Sequence, residues 1–205
     1  MAACGQPEKP AAKTEAPPVV TEDLHTPSMI QIGKLADPSF TSADDFGELF
    51  ESYLLDDQGN INAATESATV DNYLAILDGD MDPITQAPVF EIKDTDSVVL
   101  LLKDKKAWAL VLVDKGTMTM ADIQFPKGSS IAKLGSNSEK FRQQLSGTSI
   151  TFSENNFELI PWDEQIKPKG DVVVDGISGA TTICQASVDL LNQQLPFYRS
   201  YFESN

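Results

Sequence analysis

The sequence has few of the residues that usually build metal centres and disulfide bonds. It contains two cysteines and one histidine, His25. Cys4 lies near the N-terminus and Cys184 lies on a predicted helix face, so a disulfide between them is not expected. With no second histidine and no close pair of cysteines, zinc and haem sites of the usual types are excluded. No apolar run approaches the ~20 residues that span a bilayer as a helix.

Basic residues are also scarce. There are 15 lysines and arginines against 31 aspartates and glutamates, which gives a net charge of -16. Such a chain repels phosphate backbones, so nucleic acid is not expected as a partner. The acidity serves either solubility or attraction to a basic partner, and the charge alone leaves both open. At 205 residues, the chain is long enough for one good-sized domain with a core and a smaller appendage.

The N-terminal segment has the composition of a tether. Met1-Ala2-Ala3-Cys4-Gly5 resembles the end of a bacterial lipoprotein signal, where small residues precede a cysteine that becomes lipidated. Residues 5–24 are rich in proline, alanine and charge and show no periodicity, as flexible linkers do. We therefore expect a lipoprotein tether over residues 1–25, anchored through Cys4 at the periplasmic or extracellular face of a bacterial membrane. A chance Ala-Ala-Cys is the alternative.

Residues 26–88 are predicted to form a helical extension with long loops. One helix is predicted over 41–55 and another over 68–78, because apolar residues recur there at intervals of three and four. Asp-Gly-Asp at 78–80 ends the second pattern. The apolar positions are Phe46, Leu49, Phe50, Tyr53 and Leu54 in the first segment and Val70, Tyr73, Leu74 and Leu77 in the second.

Residues 89–205 are predicted to form an α+β domain, an antiparallel twisted sheet with flanking helices. Apolar, β-branched runs separated by polar turns at 97–102, 107–113 and 117–125 are typical of a three-stranded meander. A short helix follows near 138–145. Further short strands are predicted at 150–152, 157–160 and 171–174, and a longer helix begins near Thr181. The longer helix has one apolar face, formed by Cys184, Val188, Leu191 and Leu195.

The segment Val172–Thr182, which reads VVVDGISGATT, is the one most suggestive of chemistry. Its order is strand, polar turn and helix N-terminus, where free amides and the helix dipole stabilise a phosphate without a basic side chain. Gly179 and Ala180 leave room for a ligand near the backbone, while Ser178, Thr181 and Thr182 supply hydroxyls. The alternative is an ordinary helix capped by Asp175 or Ser178.

Asp175-Gly176-Ile177-Ser178-Gly179-Ala180-Thr181 resembles the D-x-x-[ST]-G-A-T flavinylation motif of the FMN-binding domain family. That family includes one of the subunits of the sodium-translocating NADH:quinone oxidoreductase and many extracytoplasmic flavoproteins. In it, an FMN transferase joins FMN through its phosphate to the last threonine, here Thr181. The resemblance covers about residues 90–195. Many members carry a Glu-Thr-Pro-Gly-type loop against the flavin ring; here only Leu134-Gly135 is similar to it.

The resemblance implies an extracytoplasmic electron-transfer flavoprotein, an electron carrier or redox subunit more than a stand-alone enzyme. Its partners would be an FMN transferase during maturation, redox donor and acceptor proteins, and the membrane through the lipid anchor. The alternatives are an interaction or ligand-binding lipoprotein and a non-covalent FMN-binding accessory subunit of a membrane reductase. The cofactor-binding residues implied are Thr181, which bears the covalent FMN, with Ser178, Gly179, Ala180, Thr182, Asp175, Leu134 and Gly135.

Overall fold

In a computed structural model of the chain, residues 24–79, 86–153, 155–161 and 170–204 are described. The helices are α1 (His25–Ala36), α2 (Phe46–Leu49), α3 (Glu66–Asp78), α4 (Ser138–Leu145), α5 (Thr181–Gln194) and α6 (Arg199–Ser204). The strands are β1 (Phe50–Asp56), β2 (Ile61–Ala63), β3 (Gln86–Ile92), β4 (Ser97–Asp104), β5 (Ala107–Asp114), β6 (Thr119–Gln124), β7 (Thr148–Ser149), β8 (Phe157–Ile160) and β9 (Val172–Asp175). Short 3-10 segments occur at Ala43–Asp45, Ser130–Asn137 and Leu195–Tyr198.

Strands β1 to β7 form one antiparallel sheet in the order β2-β1-β3-β4-β5-β6-β7. The predicted meander is confirmed as β4, β5 and β6, joined by tight turns. Strands β4 and β5 pair along their whole length, from Ser97 opposite Asp114 to Asp104 opposite Ala107. Both strands are buried on both faces, which explains their nearly continuous apolar sequences.

Helices cover both faces of this sheet. On one face, α1, α2 and α3 enclose a core that includes Phe46, Phe90 and Leu101. On the other face, α4, α5 and α6 enclose a core that includes Val111 and Leu191. The predicted α+β class, an antiparallel sheet with flanking helices, is therefore confirmed as a three-layer arrangement. No helix of the described residues is long and apolar enough to cross a membrane.

The helix predicted over 41–55 forms over residues 43–49 and is wrong from residue 50 onward. Helix α2 ends at Leu49, and residues 50–56 form β1, which pairs with β3 at every position. Phe50 packs in the core beneath α1 to α3, whereas Leu55 packs in the core of the opposite face. In a strand with two buried faces, polar and apolar residues do not alternate regularly. The apolar residues of β1 therefore occur at intervals that also fit a helix.

The helix predicted over 68–78 is confirmed as α3. It begins at the Thr65 cap, whose hydroxyl accepts a hydrogen bond from the Ala68 N–H at 3.2 Å. It ends at Gly79, which adopts a left-handed conformation with φ 87°. The division into an extension and a domain at residue 88 stays a prediction, and β3 runs across that position.

The short strand predicted at 150–152 is also wrong. The strand in this region is β7, which lies two residues earlier and pairs with β6. Phe152 has a φ of 52°, outside the extended region, so the chain cannot continue as a strand there. The predicted strands at 157–160 and 171–174 correspond to β8 and β9, and the predicted short helix to α4.

Candidate functional site

The strand, turn and helix of the VVVDGISGATT segment form where the sequence predicts them. Strand β9 pairs in parallel with β8, and the Gly176 N–H extends this ladder by donating to the Ile160 carbonyl at 2.6 Å. A turn over residues 177–180 follows, closed by the Ala180 N–H donating to the Ile177 carbonyl at 2.9 Å. Helix α5 then begins at Thr181.

Gly179 supplies the conformation that this turn needs. Its φ is 77°, and a β-carbon added there would meet nothing within 4 Å. A turn closed between its first and fourth residues with positive φ at the third has the pattern of a type II turn, which favours glycine. The same absence of a side chain leaves open space beside the backbone just before α5.

The N-terminus of α5 has no side-chain cap. Its cap residue is Ala180, whose carbonyl accepts hydrogen bonds from the Ile183 and Cys184 N–H groups at 3.0 Å each. The predicted alternative, a cap from Asp175 or Ser178, is wrong, because neither side chain bonds the first turn within the described structure. The first turn also carries no acidic residue. Its positive end is therefore available to an anion.

Three hydroxyls surround this helix end. Ser178 and Thr182 are exposed and Thr181 is half-buried. In the ranges that the structure describes, no hydrogen bond engages any of these side-chain oxygens. Free hydroxyls, unpaired amides and an unobstructed glycine fit a phosphate group at this position.

The buried face of α5 fixes the helix to the sheet. Cys184 is fully buried one turn below Thr181 and packs in the same core as Val188 and Leu191. Burial raises the pKa of the Cys184 thiol, so it stays protonated and serves as a core residue. The apolar face predicted for this helix is thus confirmed.

Leu134 and Gly135, the pair predicted to lie near a flavin ring, belong to the 3-10 segment Ser130–Asn137. That segment lies against α5. The surroundings of this pair lie outside the described structure, so its role stays a prediction. Cys4, the predicted lipid anchor, lies outside the described residues.

Gln144 on α4 touches the site, although no pattern in the sequence singles it out. Its side chain bonds the backbone of Asp175, the first residue of the motif. The described residues contain no group of three or more potential metal ligands. The described part of the site consists of backbone amides, the hydroxyls of Ser178, Thr181 and Thr182, and the Asp175 carboxylate.

The sheet with helices on both faces defines an α+β domain. After its short strand β9, the N-terminus of α5 has no side-chain cap. Among solved structures, the chain is similar to the crystal structure of NqrC from Shewanella oneidensis, with a TM-score of 0.59 and 15% identity. The similarity covers 87% of this chain and 96% of that chain, and at this identity it shows the fold. No family model and no curated protein sequence matches the chain.

Substituting Gly179 with alanine tests the geometry of the turn. Because the added β-carbon meets no atom, the cost comes from the positive φ alone, about 1–2 kcal/mol of the free energy of unfolding. Gly147 is a matched control, since its φ is 78° and it too has open space around it. We expect Gly147→Ala and Gly179→Ala to lose similar stability in urea unfolding. A Gly179→Ala protein as stable as the wild type would show that the turn does not need its positive φ.

Proposed function

We propose that this chain is an electron-transfer flavoprotein that carries FMN joined by a phosphodiester to Thr181. The observation that carries the proposal is the complete D-x-x-S-G-A-T match at the turn before an uncapped helix end. The likeness of the fold to NqrC supports the same family as the motif. The alternative explanation of the motif, an ordinary helix capped by Asp175 or Ser178, does not apply, because α5 has no side-chain cap.

The attachment is a phosphoryl-group transfer to the Thr181 hydroxyl. The Thr181 oxygen forms a bond to the phosphorus of an FMN donor that is activated as a phosphoanhydride. The phosphoanhydride P–O bond breaks, the rest of the donor leaves on that oxygen, and the hydroxyl proton is released. A threonine hydroxyl is a weak nucleophile and no described side chain acts as its base, so the transferase must supply one.

Several features of the site suit this role. Gly179 leaves the backbone accessible, Ala180 adds no polar cap, and the amides of Thr181 and Thr182 lie at the positive end of α5. This local attraction is needed because the net charge of -16 opposes the binding of a phosphate elsewhere on the chain. The bound flavin supplies the redox chemistry, and the protein sets its exposure and surroundings.

The site fits a protein that carries a cofactor better than an enzyme that converts a substrate. Among the described residues, the free thiol of Cys184 is buried, and the motif hydroxyls bond no base. The redox partners we propose are a donor and an acceptor protein, with basic docking surfaces that match the acidic chain. We also propose a lipid anchor at Cys4 and an extracytoplasmic location, on the sequence pattern alone.

Intact mass tests the proposal directly. When the full chain is expressed with an active FMN transferase, we expect a gain equal to FMN less one water that survives denaturation. Expression without the transferase is the control and should give the unshifted mass. Flavin that is released on denaturation would instead support the non-covalent alternative. A chain that stays colourless and unshifted beside an active transferase would refute flavin carriage by this route.

A further inference from the structure

The Gln144 side chain forms hydrogen bonds with the backbone of Asp175, at the start of the motif, as a neighbouring β-strand would. The Asp175 N–H donates to the Gln144 Oε1 at 2.7 Å, and the Gln144 Nε2 donates to the Asp175 carbonyl at 3.2 Å. A carboxamide offers one donor and one acceptor side by side, as a peptide group does. Gln144 therefore satisfies both backbone groups of Asp175 on the edge of β9 that β8 does not occupy.

The motif is thus held from two sides where it leaves the strand. On one edge, α4 reaches Asp175 through Gln144. On the other edge, β8 accepts the Gly176 N–H at the Ile160 carbonyl. The turn from residue 177 to 180 then leads directly to Thr181. The path from Asp175 to Thr181 is consequently fixed at its first two residues and again at the helix.

The carboxylate of Asp175 takes no part in this arrangement. It is exposed, and within the described ranges no hydrogen bond or ion pair engages it. Gln144 uses only the backbone of Asp175, so it fixes the position of the residue while leaving its charged group free. An exposed carboxylate on a backbone that is held in place is available for recognition by a second protein.

We propose that Gln144 is a positioning residue for flavin attachment. By holding the Asp175 backbone, it presents the Asp175 carboxylate and the Thr181 hydroxyl to the transferase in one arrangement. Loss of both hydrogen bonds frees the start of the motif, and the transferase must then order it during the reaction. This inference rests on the proposed function, since it concerns the rate of attachment at Thr181.

Asn192 offers a matched control within the same chain. From α5, its Oδ1 accepts the Phe157 N–H at 2.9 Å and its Nδ2 donates to the Phe157 carbonyl at 2.8 Å. This is the same two-bond contact, made to β8 instead of β9. Asn192 and Phe157 both lie outside the motif, so the control removes equal hydrogen bonding without touching Asp175.

The experiment compares Gln144→Met and Asn192→Leu, each in the full chain. The quantity compared is the initial rate of FMN attachment by purified transferase, which intact mass measures. Both substitutions keep the shape of the side chain and remove its hydrogen bonds, and Tm is measured for both. We expect Gln144→Met to slow attachment about tenfold and Asn192→Leu to change it by no more than about twofold, at similar loss of Tm.

The outcomes separate the two proposals. If the wild type gains FMN and Gln144→Met gains it at the same rate, the positioning role is overturned and the proposed function is left intact. Equal slowing in Gln144→Met and Asn192→Leu also overturns it, because the effect then follows stability. A wild-type chain that never gains the mass of FMN less one water overturns the proposed function and this inference with it.

Discussion

Replacement of Thr181 by alanine is expected to abolish covalent flavin completely. The proposed phosphodiester needs the Thr181 oxygen, and alanine has no atom that could take its place. Thr181 is half-buried at the first position of α5, and its hydroxyl makes no hydrogen bond within the described structure. The substitution should therefore remove the attachment without unfolding the helix. Fluorescence of the denatured chain and intact mass both measure the outcome.

Thr182→Ala is the matched control for this experiment. It removes a neighbouring hydroxyl from the same helix turn, and Thr182 is more exposed than Thr181. We expect Thr182→Ala to keep the full mass gain. Covalent flavin in Thr181→Ala, or its loss in Thr182→Ala alone, would place the attachment at another hydroxyl and contradict the assignment.

Phe90→Ala is expected to cause the largest loss of stability. Phe90 is fully buried on β3, and its ring lies edge-on to Phe46 and Phe50, at centroid distances of 5.7 and 6.1 Å. Truncating a buried phenylalanine removes its burial and leaves a cavity, which costs about 3–5 kcal/mol of the free energy of unfolding. Urea unfolding measures the change. A loss below about 1 kcal/mol would show that the aromatic cluster is not tightly packed.

Phe90→Leu separates volume from aromatic contact. Leucine retains most of the apolar volume, so its cost should stay at about 1–1.5 kcal/mol. Because Phe90 faces α1 to α3, on the sheet face opposite α5, either variant should still accept flavin under conditions where it is folded. Loss of attachment in a folded Phe90→Leu chain would contradict the separation of the two cores.

The candidate site was predictable because its signals are local. Val172–Val174 and the apolar spacing of Cys184, Val188 and Leu191 predict a strand and a helix from neighbouring residues alone. Gly179 falls where a turn between them requires a positive φ, and the structure has one there. The role proposed for Thr181 comes instead from resemblance to a motif, since strand, turn and helix alone predict only a place for an anion.

The remaining features depend on contacts distant in the sequence. β1 was predicted as part of a helix because its two buried faces belong to different cores. β3 was not predicted as a strand, and Pro88 lies within it at a position where β4 is not paired. Gln144 lies 31 residues from Asp175, and nothing in its local pattern distinguishes it from Gln143. Only the packing of α4 beside β9 gives it a partner.

The separation of β8 and β9 from the main sheet bears on the order of events during maturation. The motif begins at the end of β9, in this parallel pair. Among the described strands, none of the seven-stranded sheet pairs with β8 or β9. An enzyme that reaches Thr181 therefore need not open the sheet or either core. The polypeptide can therefore finish folding first, and the proposed flavin would then be attached to the folded chain.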